Sequence, residues 1–390
     1  MRPALLLAHD FPPMHGGIAG ALGAVAQHSK PGRLVVSTGR APQAEAWDAA
    51  CGSRVDRVPV GTSRLRTPLG LVHWSRAALR LARETDAGFC WVGNLKPAGY
   101  VARWLQARQR TPYGLIVYGL DVLQLEAQAR QSRRKRFVAR QILGGASGTV
   151  AISHWTAARF RALATSLGLH AVAARVEVVP LGADPGRFHP GIEAATVIAR
   201  HGLGGRRWLL TVARLVPHKG IDTVIAALAL LPDVGYLVAG DGPDRLRLQQ
   251  LAEAAGVADR VRFLGGVPAE DLPALYRAAT VYVGLSREEA GQVEGFGLSL
   301  VEAQACGIPV VATTCGGIAD AVSDGESGSL IRPNDPAAAV AAIGALLADD
   351  SRRSAMGQAG RARVEQYLNW GRVVAELERY AGEWGVRSEE

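Results

Sequence analysis

Short apolar runs recur along this chain without alternating with polar residues. In the first half they are PALLLAH, RLVVS, GFCWV, GLIVY and GTVAI; in the second they are WLLTVA, GYLVAG, VRFLG, VYVGL and PVVATT. Runs rich in Val, Leu and Ile with no period of two read as parallel strands covered on both faces. Longer stretches of helical period separate them, and a run-to-run spacing of roughly 20–30 residues is that of βα units. Two successive sets predict an α/β chain of two doubly wound, Rossmann-like domains. The Gly- and Pro-rich stretch LGADPGRFHPG (181–191) starts nothing periodic and marks the boundary. The expected domains are 1–188 and 189–370. From about Arg352 the pattern predicts two helices with a break near Asn369-Trp370-Gly371, the last helix (371–390) packing back on the first domain. Ligands of open α/β sheets bind outside the carboxyl ends of the strands, so a cleft between the two domains is the expected site.

Composition narrows this picture. At 390 residues the chain is too long for one ordinary core and comfortable for two. Cys51, Cys90, Cys306 and Cys315 show no C-x-x-C spacing, so neither a zinc motif nor a disulfide framework is expected, and a reducing cytoplasm is the simplest compartment. The start MRPALLLAHDFPP is too short in apolar residues for a signal peptide, and no run approaches the roughly 20 residues of a membrane span. The net charge of +9 is uneven: residues 1–190 carry 25 Lys and Arg against 10 Asp and Glu, the rest 19 against 25. Such asymmetry points to an anionic partner for the first half, although 40 of the 44 basic residues are Arg, which is also a compositional habit. No nucleic-acid motif or aromatic stacking pattern accompanies the charge, so nucleic acid is not an expected partner.

Four motifs follow predicted strands. In HDFPPMHGGIAG a helix opens near Gly17, and Gly16 and Gly17 let backbone and ligand approach closely. The order G-G-x-x-G is not the dinucleotide fingerprint, and Ser37-Thr38-Gly39 stands where an acid would close the second strand, so NAD is not expected. In TVARLVPHKG, Arg214 and Lys219 bracket a turn at a strand end, a fork and a point charge suited to a diphosphate. In VAGDGPD, Gly240 and Gly242 make a strand-to-helix turn. In EGFGLSLVEAQACGIPVVATTCGG a helix begins at Gly297 or Leu298; Glu294 lies before it and Glu302 one turn in. The amides of Phe296, Gly297 and Leu298 then face the strand-end crevice. Eight residues of helix rise about 12 Å, more than the 5–9 Å or so between the two carboxyls of a glycosidase. The two glutamates therefore suit the ends of an extended ligand.

The whole pattern resembles the family 4 retaining glycosyltransferases. EGFGLSLVEAQACGIPVVAT matches their Glu-x7-Glu signature, and FPPMHGGIA, YGLDV, AISHW, VVPLGADPGRF, ARLVPHKG, GDGP and RFLGGV follow in the family's order over nearly the whole chain. The resemblance implies a GT-B fold, retention of configuration, a nucleotide-diphosphate sugar as substrate, and neither cofactor nor metal; no D-x-D occurs in the sequence. It implies that Arg214 and Lys219 hold the diphosphate, Glu302 the ribose and Glu294 the donor sugar. Gly16, Gly17, Gly240, Phe296, Gly297 and Leu298 would line the donor, and Tyr118, Asp121 and His154 the acceptor side. Tyr118 stands where many members have a His that touches the donor sugar.

Within the family, QVEGFGLSLVEAQACGIPVVA and AMGQAGRARVEQY are similar to the phosphatidyl-myo-inositol mannosyltransferases. That likeness implies GDP-mannose, a lipid acceptor and work at the inner membrane face. QARQSRRKRFVARQIL (128–143) has the matching physical character: Arg130, Arg133, Arg134, Lys135, Arg136 and Arg140 beside Phe137, Val138, Ile142 and Leu143 form a basic amphipathic segment. The alternatives are a transferase using a UDP-sugar and a soluble acceptor, a nucleotide-sugar epimerase, and a non-catalytic nucleotide-sugar-binding protein.

Overall fold

Why the chain reads as two sets of buried strands is plain from the computed structural model, which describes residues 2–386. It divides into two units, Met1–Pro180 with Trp370–Glu390, and Leu181–Asn369. The first unit holds β1 (Ala4–Leu7), β2 (Leu34–Arg40), β3 (Arg54–Gly61), β4 (Phe89–Val92), β5 (Tyr113–Val117), β6 (Gly148–Ala151) and β7 (Val176–Val178). Their order is β3-β2-β1-β4-β5-β6-β7, and every pairing is parallel. The second holds β8 (Arg207–Val212), β9 (Val234–Ala239), β10 (Val261–Gly265), β11 (Val281–Gly284), β12 (Val310–Thr313) and β13 (Gly328–Ile331). These are parallel too, in the order β10-β9-β8-β11-β12-β13. Both are doubly wound Rossmann-like sheets.

All ten predicted runs are strands. The three additional ones, β3, β7 and β13, lie at sheet edges. Strands β4, β5 and β6 are buried at every position, whereas β3 and β13 are mostly half-buried. An edge strand has a wet side, so it does not show the continuous apolar run that betrays a covered one.

The boundary falls at Pro180/Leu181 rather than 188/189. Residues 181–188 belong with the second unit because Ala183 pairs with Asn369 and donates its N–H to the Leu368 carbonyl at 2.9 Å. The two terminal helices are Asp350–Gln366 and Trp370–Val386, broken where expected; residues 387–390 of the expected last helix lie outside the described residues. That last helix packs on the first unit through Trp384, which stacks on Tyr380 at 4.9 Å and meets Trp91 at 5.7 Å. Gly148 of β6 makes the room: a Cβ there would stand 2.4 Å from the indole. Among the described residues no helix is long and apolar enough to cross a membrane.

Trp384 is only 5% exposed, so Trp384→Ala should remove about 3–5 kcal/mol from the first unit. Urea unfolding of the variant checks this; a loss below about 1 kcal/mol would mean that the helix does not close the core.

Candidate functional site

In a doubly wound sheet the order of strands reverses once, and the loops leaving the two strands at that point splay apart to leave a crevice. In the second unit those strands are β8 and β11. The loop after β8 carries Arg214, His218 and Lys219, and the loop after β11 carries Arg287 and Glu294. Lys219 donates from Nζ to Glu294 Oε2 at 2.5 Å, spanning the two loops. Burial pushes the Glu294 carboxyl up, but Lys219, with His218 and the Phe296 amide, holds it below its ordinary range. Arg214 is exposed and has no hydrogen-bond or ion-pair partner among the described residues. A small cavity lined by Lys219, Glu294, Tyr282, Ser286, Gly297 and Ser299 opens beside the pair.

Backbone packing fixes these loops. At Gly220 a Cβ would stand 1.8 Å from the Leu285 carbonyl, so the two switch-point loops touch only because the residue is Gly. Gly316, after β12, meets the Glu294 carbonyl, which accepts from Gly317 N–H at 3.0 Å. Arg287 ties the β11 loop down: its Nη atoms donate to both oxygens of Asp222 at 2.6 and 2.9 Å, and its backbone N–H to the His218 carbonyl at 2.8 Å.

The helix after this loop is Leu298–Ala305, entered through Gly297 at φ 96°, a left-handed turn that favours Gly. No side chain caps its amino end. The Phe296 amide helps to hold the Glu294 carboxyl down; the Phe296 ring is buried. Glu302 is half-buried, with Tyr276 donating to Oε2 at 2.6 Å. Gly240 has a packing reason for being Gly: its N–H goes to the Gly265 carbonyl at 2.7 Å, and a Cβ would stand 1.9 Å from the Ala213 carbonyl.

In the first unit the order reverses between β1 and β4. Gly16 and Gly17 open the helix Gly17–His28; both are exposed, and a Cβ at either position would meet nothing within 4 Å. The structure adds a polar cluster that the sequence did not point to. Asn94, after β4, accepts at Oδ1 from the amides of His9 and Asp10 at 2.8 and 3.1 Å, and donates to Asp10 Oδ2 at 3.0 Å. Arg66 donates to His9 Nε2 at 3.2 Å, which leaves the Nδ1 proton for Asp10 at 2.7 Å. That hydrogen bond from His9 holds the Asp10 carboxyl below its usual range. The rule that ligands meet the loops after strands would have found Asp10 and Asn94; Arg66 carries no sequence signal.

Tyr118 is buried and its hydroxyl has no partner among the described residues. Asp121 accepts at Oδ1 from the amides of Tyr118 and Val122, both at 3.0 Å, while Oδ2 is buried without a partner. Burial, opposed by those amides, pushes the Asp121 carboxyl up to about 6. Asp10 lies near enough to act on the Tyr118 phenol. His154 is exposed at the start of the helix His154–Ser166. Tyr118, Asp121 and Asp10 thus gather together.

The basic segment 128–143 is not one amphipathic helix. It breaks at Ser132, which caps a second helix, Arg133–Gly144. Ile142 and Leu143 are buried in the core and Val138 is half-buried, because one face of this helix must cover the sheet. Arg133, Arg134, Lys135, Arg136 and Arg140 are exposed, with Phe137 at 62%. Among the described residues no group of three or more His, Cys, Asp and Glu is placed to hold a metal.

The model of the family "Glycosyl transferases group 1" matches residues 196–363. The GDP-mannose-dependent alpha-(1-6)-phosphatidylinositol monomannoside mannosyltransferase of Mycolicibacterium smegmatis is 36% identical, over 96% of this chain and 97% of its own. A GDP-mannose-dependent monoacylated alpha-(1-6)-phosphatidylinositol monomannoside mannosyltransferase of Corynebacterium glutamicum is 32% identical over 95% of each. In fold the chain is similar to Anabaena HepE, crystallised with UDP and glucose, with a TM-score of 0.79 at 22% identity over 97% of this chain and 99% of that one.

Asp121 gives a pH signature. Its folded value, about 6, lies above its ordinary 3.8, so the folded chain binds this proton more tightly. The group therefore adds stability below about pH 4 that is lost as pH rises through 6. Asp121→Asn keeps the Oδ1 acceptor and should flatten that loss in urea unfolding at pH 5 and 7.5; an unchanged pH slope would contradict the assignment.

Proposed function

Since this chain belongs to the group 1 glycosyltransferases and carries the two-domain GT-B fold, we propose that it moves mannose from GDP-mannose, with retention of configuration, onto a phosphatidylinositol mannoside-type lipid. The observation that carries this reading is the 36% identity, over nearly the whole of both chains, with a mannosyltransferase of that donor and acceptor. In the second unit, Arg214 and Lys219 neutralise the diphosphate, Glu302 accepts from the ribose and Glu294 from the sugar hydroxyls. Leu298 and Gly297 offer the free amino end of their helix to the anion.

Transfer then follows from charge. As the sugar–phosphate bond breaks, negative charge grows on the leaving diphosphate, and two fixed cations stabilise it there more than in the ground state. A diphosphate oxygen takes the proton of the attacking acceptor hydroxyl, on the same face that the leaving group departs. Arg214 and Lys219 supply the positive charge, so the reading needs no metal. Lys219 must leave Glu294 to reach the diphosphate, which frees that carboxylate for the sugar.

In the first unit, Gly16 and Gly17 allow a ligand close backbone approach, and Asp10, Tyr118 and Asp121 with His154 form the acceptor side. The exposed row Arg133, Arg134, Lys135 and Arg136 with Phe137 rests on anionic lipid, each cation adding about 1 kcal/mol near such a surface. The chain works peripherally, at the inner face of the plasma membrane.

Phosphatidylinositol monomannoside in anionic vesicles with GDP-mannose should give a dimannosylated lipid, in EDTA as without it. Arg214→Ala and Lys219→Ala should each lower turnover by on the order of a hundredfold or more. Transfer from UDP-glucose but not GDP-mannose would move the donor; near-normal turnover in both variants would overturn the roles given to these cations.

A further inference from the structure

Helix Leu298–Ala305 carries Glu302, and two tyrosine hydroxyls touch it. Tyr282, from β11, reaches Ser299 Oγ at 2.7 Å in the first turn. Tyr276, from the helix Leu272–Ala278, reaches Glu302 Oε2 at 2.6 Å in the next. Their ring centroids are 5.8 Å apart, and Phe188 closes the far side of Tyr276 edge-on at 5.8 Å. Tyr276 has no exposure at all, so its hydroxyl cannot turn to water. Burial raises the phenol well above its ordinary range, which keeps it a neutral donor. Burial also raises the Glu302 carboxyl, against the Tyr276 hydrogen bond and Arg187, which pull it down.

A glutamate's last torsion is broad, so a lone carboxylate at this place would swing. Here one oxygen is pinned from below, and Oε1 has no partner among the described residues. A pinned carboxylate with one free oxygen is an acceptor of fixed direction, which suits a rigid pair of neighbouring hydroxyls. We propose that Tyr276 is a positioning residue for nucleotide recognition: its hydroxyl sets the Glu302 carboxylate in the orientation that accepts the ribose hydroxyls of the donor. This rests on the reading of Glu302 as the ribose acceptor.

The test is calorimetric titration of GDP and 2′,3′-dideoxy-GDP into the unaltered chain, Tyr276→Phe and Glu302→Ala. The unaltered chain should prefer GDP by on the order of tenfold or more, the worth of hydrogen bonds to a charged group. Tyr276→Phe should lose most of that preference while binding dideoxy-GDP as before, which also shows the variant to be folded. The remaining preference should fade at a higher pH than in the unaltered chain, because the lost O–H no longer stabilises the charged carboxylate. A full preference for GDP in Tyr276→Phe, or equal weakening of both nucleotides, overturns the proposal. If Glu302→Ala also keeps the preference, the ribose role of Glu302 falls as well; if Glu302→Ala loses it and Tyr276→Phe does not, only Tyr276 is wrongly assigned.

Discussion

Lys219 and Glu294 meet at 2.5 Å over the point where the strand order of the second sheet reverses, each with about a fifth of its side chain exposed. Neither has another ion-pair partner among the described residues. Two charges taken partly out of water need each other, and removing either one leaves the other costly to keep. In the proposed reading, a bound diphosphate would offer Lys219 a better anion, and a sugar would offer Glu294 hydroxyl donors in place of the ammonium. The pair thus ties the two switch-point loops together.

The surrounding structure keeps those two groups within reach. Leu285 and Gly220 bring the β8 and β11 loops into backbone contact, Gly316 and Gly317 grip the Glu294 carbonyl, and Arg287 clamps Asp222. Beneath them Tyr276 and Tyr282 hold the helix that carries Glu302. Most of the residues around the Lys219–Glu294 pair are committed to backbone–backbone or charge-assisted contacts.

How much of this was legible depended on how local each signal was. The covered strands announced themselves because a parallel strand dry on both faces must be apolar throughout; β3, β7 and β13 did not, since each has a wet side. Arg214, Lys219, Glu294 and Glu302 stood out as charged residues in motifs that follow predicted strands, but the Lys219–Glu294 pairing is tertiary and no spacing encodes it. The Tyr276–Glu302 contact joins residues of two helices, and the Asn94–Asp10 contact joins loops 84 positions apart. Ile142 and Leu143 read as a membrane face because a surface stripe and a core stripe share one period; only the packing shows which is which. Gly240 carries a packing role that its motif did not show: its lack of a Cβ lets the neighbouring loop approach.

The account stands on the claim that the second unit's switch point binds the diphosphate itself. Calorimetric affinities for guanosine, GMP and GDP test it most directly, in the unaltered chain and in Lys219→Ala. The account predicts that affinity climbs with each phosphate and that the advantage of GDP over GMP shrinks once Lys219 is gone, Arg214 keeping the remainder. Equal affinity for GMP and GDP in the unaltered chain would contradict it.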